Sequence, residues 1–254
     1  MVRDLHSTRG GRAAATGNAL DLVRLERGLG IFKEQWLQDQ VIHSRAVVEL
    51  WNSYYGTVHF LAVIFVLVVL FRRYPGRYRR WRNTLAFTTA LGLVSFALFP
   101  VLPPRLLPAG FGFVDTLDHF GGVWNFSHGA LAKASDQYAA MPSLHTAWST
   151  WCALAVKPVI RPRWGRWLVA LYPVATVFGI VVTGNHYFVD AIAGVVAVVI
   201  AYGLARAVSR QQSDSAAARA GNRPCWQPPE PATVRAGNRP CRQPPYSAIA
   251  RRLT

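Results

Sequence analysis

Cysteine is scarce in this chain, with three residues in a total of 254. Cys152 lies within an apolar segment, where we expect a small buried side chain. Cys225 and Cys241 lie in a polar C-terminal stretch without metal-ligand spacing around them. These positions argue against a disulfide framework, and the chain has no H-E-x-x-H sequence that would indicate a zinc site.

Acidic residues are also few, since 12 Asp and Glu stand against 28 Lys and Arg, a formal net charge of +16. A charge of this size is compatible with nucleic-acid binding. However, the cations lie in loops between apolar blocks and in the C-terminal tail, not along amphipathic stripes. This placement is typical of the cytoplasmic loops of a membrane protein, so we expect no nucleic-acid partner.

The apolar residues form blocks separated by arginine clusters, which predicts an all-α fold, an integral membrane helical bundle with about five spanning helices. The predicted spans cover about residues 54–71, 85–102, 143–157, 167–183 and 188–207. Residues 18–42 are too charged to span a bilayer and predict an N-terminal amphipathic helix, broken at Gly28 or Gly30. Such a helix either lies on the membrane surface or docks on other helices of the protein, and the sequence favours neither.

Outside the predicted membrane domain, residues 18–208, both ends of the chain are polar. Residues 1–17 are small and polar, which predicts a disordered N-terminus. Residues 209–254 are rich in Pro, Arg, Gln and Ala, and the segment at 219–225 recurs at 235–241. A duplication this short cannot bury a core, so we expect a disordered Pro/Arg-rich tail.

The arginine clusters also predict the orientation in the membrane. The loops at 72–82 and 157–166 and the end of the last span are the most basic, so they and the C-terminal tail should be cytoplasmic. Alternation then places the loop at 103–141 and the turn at 184–187 on the extracytoplasmic side, which we expect to be the outer face of a plasma membrane. Residues 1–50 also fall outside, against the preference of Arg3, Arg9 and Arg12.

Two short polar motifs lie where helices of this bundle begin, on that same side. In the first, Met-Pro-Ser-Leu-His at 141–145, Pro142 is suited to open a helix and Ser143 to cap its free amides. The helix start favours a bound phosphate, and His145 lies in the first turn beside it.

The second motif, Thr-Gly-Asn-His-Tyr-Phe-Val-Asp, covers residues 183–190. His186 and Asp190 are four residues apart, so they should share a face of the fifth helix, where Asp190 can hold one ring nitrogen of His186. Ionisable residues near a bilayer indicate function. The alternatives to a catalytic role are a structural His–Asp pair in a non-catalytic protein, a metal site of these two residues with His145, or a proton relay in a small transporter. No inverted repeat supports the transporter.

These motifs resemble the second and third signatures of the type 2 phosphatidic acid phosphatase superfamily, and most closely those of its inositol phosphorylceramide synthase branch. Pro103-Pro104-Arg105 is similar to the first motif of that branch. The resemblance implies that His186 is the nucleophile of a phosphohistidine reaction, that Asp190 orients it and that His145 protonates the leaving group. It implies no metal and no cofactor.

The sequence departs from the wider superfamily at three positions, where Leu98, Leu106 and Ile180 replace a lysine, a proline and a second arginine. We therefore expect the substrate phosphate to bind Arg105, backbone amides and Lys133. With Arg105, the side chains of Ser143, Asn185 and Tyr187 are the predicted contacts to the phosphate. With few fixed cations, a singly charged diester fits better than a monoester.

The expected function is that of a membrane enzyme that cleaves or transfers a phosphoryl-linked group of a lipid, similar to an inositolphosphotransferase. The alternatives are a lipid phosphate phosphatase acting on phosphatidic acid or a prenyl phosphate, and a non-catalytic membrane protein. Members of this branch usually have another spanning helix before the amphipathic segment. Its absence, with the basic residues 3–12 placed outside, is what a truncated or misassigned start would give.

Overall fold

A computed structural model of the protein describes residues 9–121 and 141–221. All the regular secondary structure in these two ranges is helical, and three of the helices are long and apolar enough to cross a membrane. The expected all-α membrane bundle is therefore confirmed. The α-helices are α1 (Arg9–Gly28), α2 (Glu34–Val41), α3 (Arg45–Arg73), α4 (Pro75–Leu98), α5 (Thr116–Phe120), α6 (Leu144–Val156), α7 (Arg163–Val182) and α8 (Phe188–Gly221).

The three candidate spans are α3, α7 and the part of α8 that covers Phe188–Gln211. Helix α4 begins with an arginine-rich turn, which lowers its apolar length. Helix α6 has 13 residues, which extend over about 20 Å. That length is short for a hydrocarbon core of about 30 Å. The count of five spans consequently stays a prediction.

Helix α6 forms the centre of the bundle and contacts α3, α4 and α7. Its Trp151 is fully buried and donates a hydrogen bond from Nε1 to the carbonyl of Trp81 on α4, at 2.9 Å. On another side, Gly194 of α8 lies against the start of α6, where an added Cβ would stand 2.5 Å from the carbonyl oxygen of Ser143. This close approach brings the N-terminal ends of α6 and α8 together.

The outer faces of the candidate spans are apolar. Exposed side chains of this kind include Phe60, Leu61, Ile64, Phe65, Leu168, Leu171, Val174, Ile192, Val196 and Val199. Apolar patches of this extent are expected on helices that face lipid.

The amphipathic N-terminal segment forms two helices, α1 and α2, separated near Gly30, whose φ of 72° suits a glycine. Helix α1 docks on the bundle: the amide of Leu102 donates to the carbonyl of Ala15 at 3.1 Å, and Ala19 is buried in the same cluster. The docked alternative is therefore the observed one. Residues 9–17, expected to be disordered, are helical because their alanines favour a helix and fit against Leu102; residues 1–8 lie outside the described residues.

The chain divides into two compact units, residues 1–206 and 207–254. Of the second unit the structure describes residues 207–221, which are helical. The prediction of disorder from residue 209 is thus wrong up to Gly221, where Gln- and Ala-rich sequence sustains the helix. The rest of the tail, with most of its duplication, lies outside the described residues, as does Lys133 in the loop after α5.

Candidate functional site

The two histidine motifs meet at one end of the bundle, where α6 and α8 begin. The amide of Ser143 donates a hydrogen bond to the carbonyl of Asp190, at 3.0 Å. The ring centroids of His145 and His186 are 5.4 Å apart. The structure therefore brings together the three residues that the sequence analysis assigned to catalysis.

The first motif forms the N-terminus of α6. Ser143 is the N-cap, and its Oγ accepts a hydrogen bond from the amide of Thr146 at 3.3 Å, as predicted. Pro142 precedes the cap instead of opening the first turn, since the helix begins at Leu144. His145 is the second residue of the helix, and its ring projects among the aromatic side chains of α3.

The second motif differs from the prediction in one respect, because His186 lies before α8 and not on it. A turn at Gly184, with φ of 67°, leads into α8, which begins at Phe188. Asp190 Oδ2 accepts a hydrogen bond from the amide of Tyr187 at 2.9 Å and lies 3.5 Å from His186 Nδ1. Asp190 thus caps its own helix and faces His186, an arrangement set by the turn rather than by helical periodicity.

His186 is almost fully buried, and neither of its ring nitrogens has a hydrogen-bond partner within the described residues. An unpaired buried polar atom costs free energy and calls for an explanation, such as a role in chemistry. In residues 9–121 and 141–221, no three His, Cys, Asp or Glu side chains are grouped closely enough to hold a metal ion, the three motif residues included.

Arg105 is fixed beside the second motif by three hydrogen bonds. Its backbone amide donates to the carbonyl of Gly184 at 2.8 Å, and Nε donates to Oδ1 of Asn185 at 3.0 Å. Its Nη1 forms an ion pair with Asp115 Oδ2 at 2.6 Å. Both side chains of the pair keep some exposure, 14% for Arg105 and 25% for Asp115.

The other predicted phosphate contacts are buried and have partners within the protein. Asn185 Nδ2 donates to Thr183 Oγ1 at 2.8 Å, and the Tyr187 hydroxyl donates to the carbonyl of Leu102 at 3.0 Å. Burial, with Asp190 nearby, raises the pKa of Tyr187. Asn185 and Tyr187, with the cap Ser143, therefore hold the two motifs in place; their direct contact with a phosphate stays a prediction.

The sequence analysis missed an aromatic group on α3 that surrounds His145. The ring of Tyr55 stacks on His145 with centroids 4.2 Å apart and planes at 22°. His59, one turn further along α3, meets His145 edge-on at 4.3 Å. A histidine in the most apolar segment of the chain was a usable signal, because ionisable residues inside a span are rare.

Two glutamates of the N-terminal helices were also missed, because charges on an amphipathic helix resemble a solvated face. Glu26 of α1 and Glu34 of α2 are both fully buried. They accept hydrogen bonds from the amides at the start of α8, Val189 to Glu26 at 2.7 Å and Phe188 to Glu34 at 3.1 Å. Burial, and next the hydrogen bond with Glu34, raises the pKa of Glu26 to about 9.

Comparison with known proteins agrees with the motifs. The sequence profile of the PAP2 superfamily matches residues 20–204. The chain is similar to the inositol phosphorylceramide synthase catalytic subunit aur1 of Schizosaccharomyces pombe, with 26% identity over 179 residues, which covers 65% of this chain and 42% of the relative. The chain thus spans less than half the length of that relative. No solved structure matches this chain.

The profile covers most of the chain and includes the first motif with Arg105 and both histidine motifs. Together with the apolar helices, it indicates an integral membrane protein of a lipid phosphatase and phosphotransferase family. The chain belongs to the PAP2 superfamily, the type 2 phosphatidic acid phosphatases that its motifs resemble.

Proposed function

We propose that the protein transfers a phosphoryl-linked group of a membrane lipid to an alcohol, as an inositolphosphotransferase-like enzyme, through a phosphohistidine at His186. The observation that carries this proposal is the convergence of His145 and His186, with ring centroids 5.4 Å apart, beside Asp190. A purely structural His–Asp pair would satisfy its ring nitrogens, whereas neither buried ring nitrogen of His186 has a hydrogen-bond partner within the described residues.

In the first step, Nε2 of His186 attacks the phosphorus atom, and the bond from phosphorus to the leaving oxygen breaks. His145, protonated, gives its proton to that oxygen, so the leaving group departs as an alcohol. Asp190, 3.5 Å from Nδ1, supports the positive charge that develops on the imidazole of His186.

In the second step, an acceptor hydroxyl attacks the phosphohistidine, and His145 takes the proton from the acceptor. The P–N bond breaks and His186 is free again. Water as the acceptor gives hydrolysis, and a lipid or sugar alcohol gives a new ester. The relative is named as an inositol phosphorylceramide synthase, which supports transfer to an alcohol as the reaction of this chain.

The charges near the site support a substrate with one negative charge. Arg105 already pairs with Asp115, so its positive charge is partly neutralised before substrate binds. Ile180 stands where the wider superfamily has a second arginine. A monoester, with nearly two charges at neutral pH, would leave one charge under-compensated in a partly dry site, which is costly. A lipid phosphodiester with a polar head group is therefore the proposed donor.

We further propose that the site faces the extracytoplasmic side of the plasma membrane and that the C-terminal tail is cytoplasmic. The support is that the α6 end opposite His145 leads into Lys157, Arg161, Arg163 and Arg166, a basic cluster of the kind retained in the cytoplasm.

The test is a chemical trap for the intermediate. Purified protein is exposed briefly to a phosphodiester lipid labelled on phosphorus, and acid-labile, base-stable phosphate on the protein is measured. Wild type should carry the label, His186→Ala should carry none, and His119→Ala, which changes an exposed histidine on α5, should match wild type. Loss of the nucleophile should lower turnover by several orders of magnitude. Retention of more than about a tenth of the activity by His186→Ala would show that another residue attacks.

A competition assay in the same preparation separates transfer from hydrolysis. A phosphodiester lipid and phosphatidic acid are supplied together with an alcohol acceptor, and new ester and inorganic phosphate are both quantified. We expect the ester to form from the diester and to increase with alcohol. Rapid phosphate release from the monoester alone would leave a lipid phosphatase.

A further inference from the structure

The N-terminus of α8 is held by carboxyl groups from three different helices. Three consecutive amides each donate to one of them: Tyr187 to Asp190 at 2.9 Å, Phe188 to Glu34 at 3.1 Å and Val189 to Glu26 at 2.7 Å. The first amides of a helix have no partner within the helix and carry partial positive charge. Here three of these amides bind carboxyl groups of the protein, two of which belong to the N-terminal helices α1 and α2.

Glu26 and Glu34 are also partners of each other. Each uses Oε1 for an amide of α8, and Oε2 of each is buried with no hydrogen-bond donor among the described residues. Because they accept from the consecutive amides of Phe188 and Val189, the two carboxyl groups are neighbours at the start of α8. Two carboxylates cannot form a hydrogen bond unless a proton lies between them. Burial beside Glu34 raises the pKa of Glu26 to about 9, so Glu26 keeps its proton at neutral pH and can offer it to Glu34.

This carboxyl pair binds amides that lie between the proposed reacting residues in sequence. His186 is two residues before Phe188, and Asp190 follows Val189, so the two clamped amides are flanked by His186 and Asp190 in sequence. Moving the start of α8 would change the 3.5 Å approach of Asp190 Oδ2 to His186 Nδ1. We propose that Glu26 and Glu34 are positioning residues that share a proton, clamp the amides of Phe188 and Val189, and thereby align His186 with Asp190 for reaction.

The inference rests on the proposed function and adds a pH dependence to it. The charged groups acting on Glu26 are Glu34 on α2 and Asp190 on α8, with the Tyr187 hydroxyl also near the pair. The neighbouring Arg27 lies over the rings of Phe32 and Phe111 instead. Ionisation of Glu26, whose pKa is about 9, adds a second negative charge to the pair and repels Glu34 and Asp190. The hydrogen bonds from the amides of Phe188 and Val189 to this pair should then weaken, and turnover should fall as the pH rises through about 9.

Glutamine supplies a matched test, because its amide can accept from Val189 through Oε1 and donate to Glu34 through Nε2. Glu26→Gln should keep turnover within about threefold of wild type and remove the alkaline fall, since the shared proton is replaced by a permanent donor. Glu26→Ala should lower kcat by about 10- to 100-fold with little change in KM, because misalignment affects reaction more than binding. As a control, Glu49→Gln changes an exposed glutamate that pairs with Arg45, and it should leave kcat and KM unchanged.

Hydrogen exchange measured on the peptide covering residues 184–192 provides a readout independent of activity. Raising the pH from 7 to 10 should increase its exchange, corrected for the intrinsic pH effect, in wild type but not in Glu26→Gln. The inference would be overturned if Glu26→Gln still lost turnover at alkaline pH, or if its exchange responded to pH as in wild type. Both outcomes can be measured even if Glu26→Ala fails to fold. His186→Ala retaining activity would overturn the proposed nucleophile, while the exchange result would still test the clamp.

Discussion

Arg105 shows how a single side chain is committed to a geometry. Its guanidinium donates to Asn185 from Nε and to Asp115 from Nη1, two bonds in different directions from one planar group. A lysine ammonium is a point charge on a flexible stem and cannot form both at once. The position therefore requires the shape of arginine as well as its charge.

The first residue-scale prediction is that Arg105→Lys lowers kcat/KM by about 10- to 100-fold, the loss expected for charge-assisted hydrogen bonds. Steady-state kinetics with a phosphodiester lipid measures the change. Arg24→Lys serves as the control, because Arg24 forms an exposed pair with Asp21 far in sequence from the motifs. Equal activity of the two lysine variants would reject a role for Arg105 in binding phosphate.

A second prediction concerns Asp115, which combines two roles in one carboxyl group. Oδ1 caps α5 by accepting from the amides of Leu117 and Asp118, and Oδ2 pairs with Arg105. Asn is an equally good cap, so Asp115→Asn preserves α5 and removes the negative charge. The freed arginine should favour a doubly charged substrate, and the ratio of monoester to diester turnover should rise by about tenfold. An unchanged ratio would show that Asp115 does not limit the charge accepted by the site.

At the residue scale, the sequence was enough to predict that His145, His186 and Asp190 meet, because each lies at a helix start on the same predicted side. It was not enough to predict Glu26, Glu34 or Tyr55. These residues reach the site through tertiary packing, Glu26 across 163 positions of sequence from Val189, and no local pattern distinguishes a buried glutamate from a solvated one.

At the scale of elements, the contact between α6 and α8 depends on the absence of a side chain at Gly194. A Cβ there would stand 2.5 Å from the carbonyl oxygen of Ser143 and 3.2 Å from the amide of Ala147, both backbone atoms that cannot rotate away. The N-terminal ends of the two helices would have to separate, and His145 would move from His186.

Gly194→Ala should therefore destabilise the protein by about 1–3 kcal/mol, as overpacking does, and reduce turnover as well. Gly203→Ala, on the same helix with no atom of the described residues within 4 Å of an added Cβ, should be neutral or slightly stabilising. Thermal unfolding in detergent, with activity measured in parallel, compares the two variants. Equal melting temperatures would mean that α8 can shift without cost.

The elements themselves were predictable where hydrophobicity was strong. Helices α3, α7 and α8 were expected as spans and are apolar and long. Residues 9–17 were not expected as helix, because small polar residues and alanines resemble a flexible terminus until a partner such as Leu102 is present. The sequence also predicted a span at the short α6. An apolar segment has the same composition whether it is buried by protein or by lipid, so the sequence does not distinguish the two.

For the whole molecule, the orientation in the membrane can be tested by chemical labelling of single cysteines. Single cysteines at Arg79 and Asp118, both exposed, are placed in a background in which Cys152, Cys225 and Cys241 are replaced. We expect position 118 to react with an impermeant reagent in intact cells and position 79 to react only after the membrane is opened. Reaction of both positions from the same side would overturn the proposed extracytoplasmic site.

The shortness of α6 has a consequence for how a lipid would meet the protein. Its 13 residues extend over about 20 Å, some 10 Å less than the hydrocarbon core. If the basic residues after its C-terminus stay at one interface, His145 at its other end lies below the opposite surface. The phosphate of a lipid would then have to reach the histidines below the level of the surrounding head groups, while its acyl chains stay in the bilayer. Turnover should therefore depend on bilayer thickness, because a thinner membrane reduces the depth of the histidines below its surface.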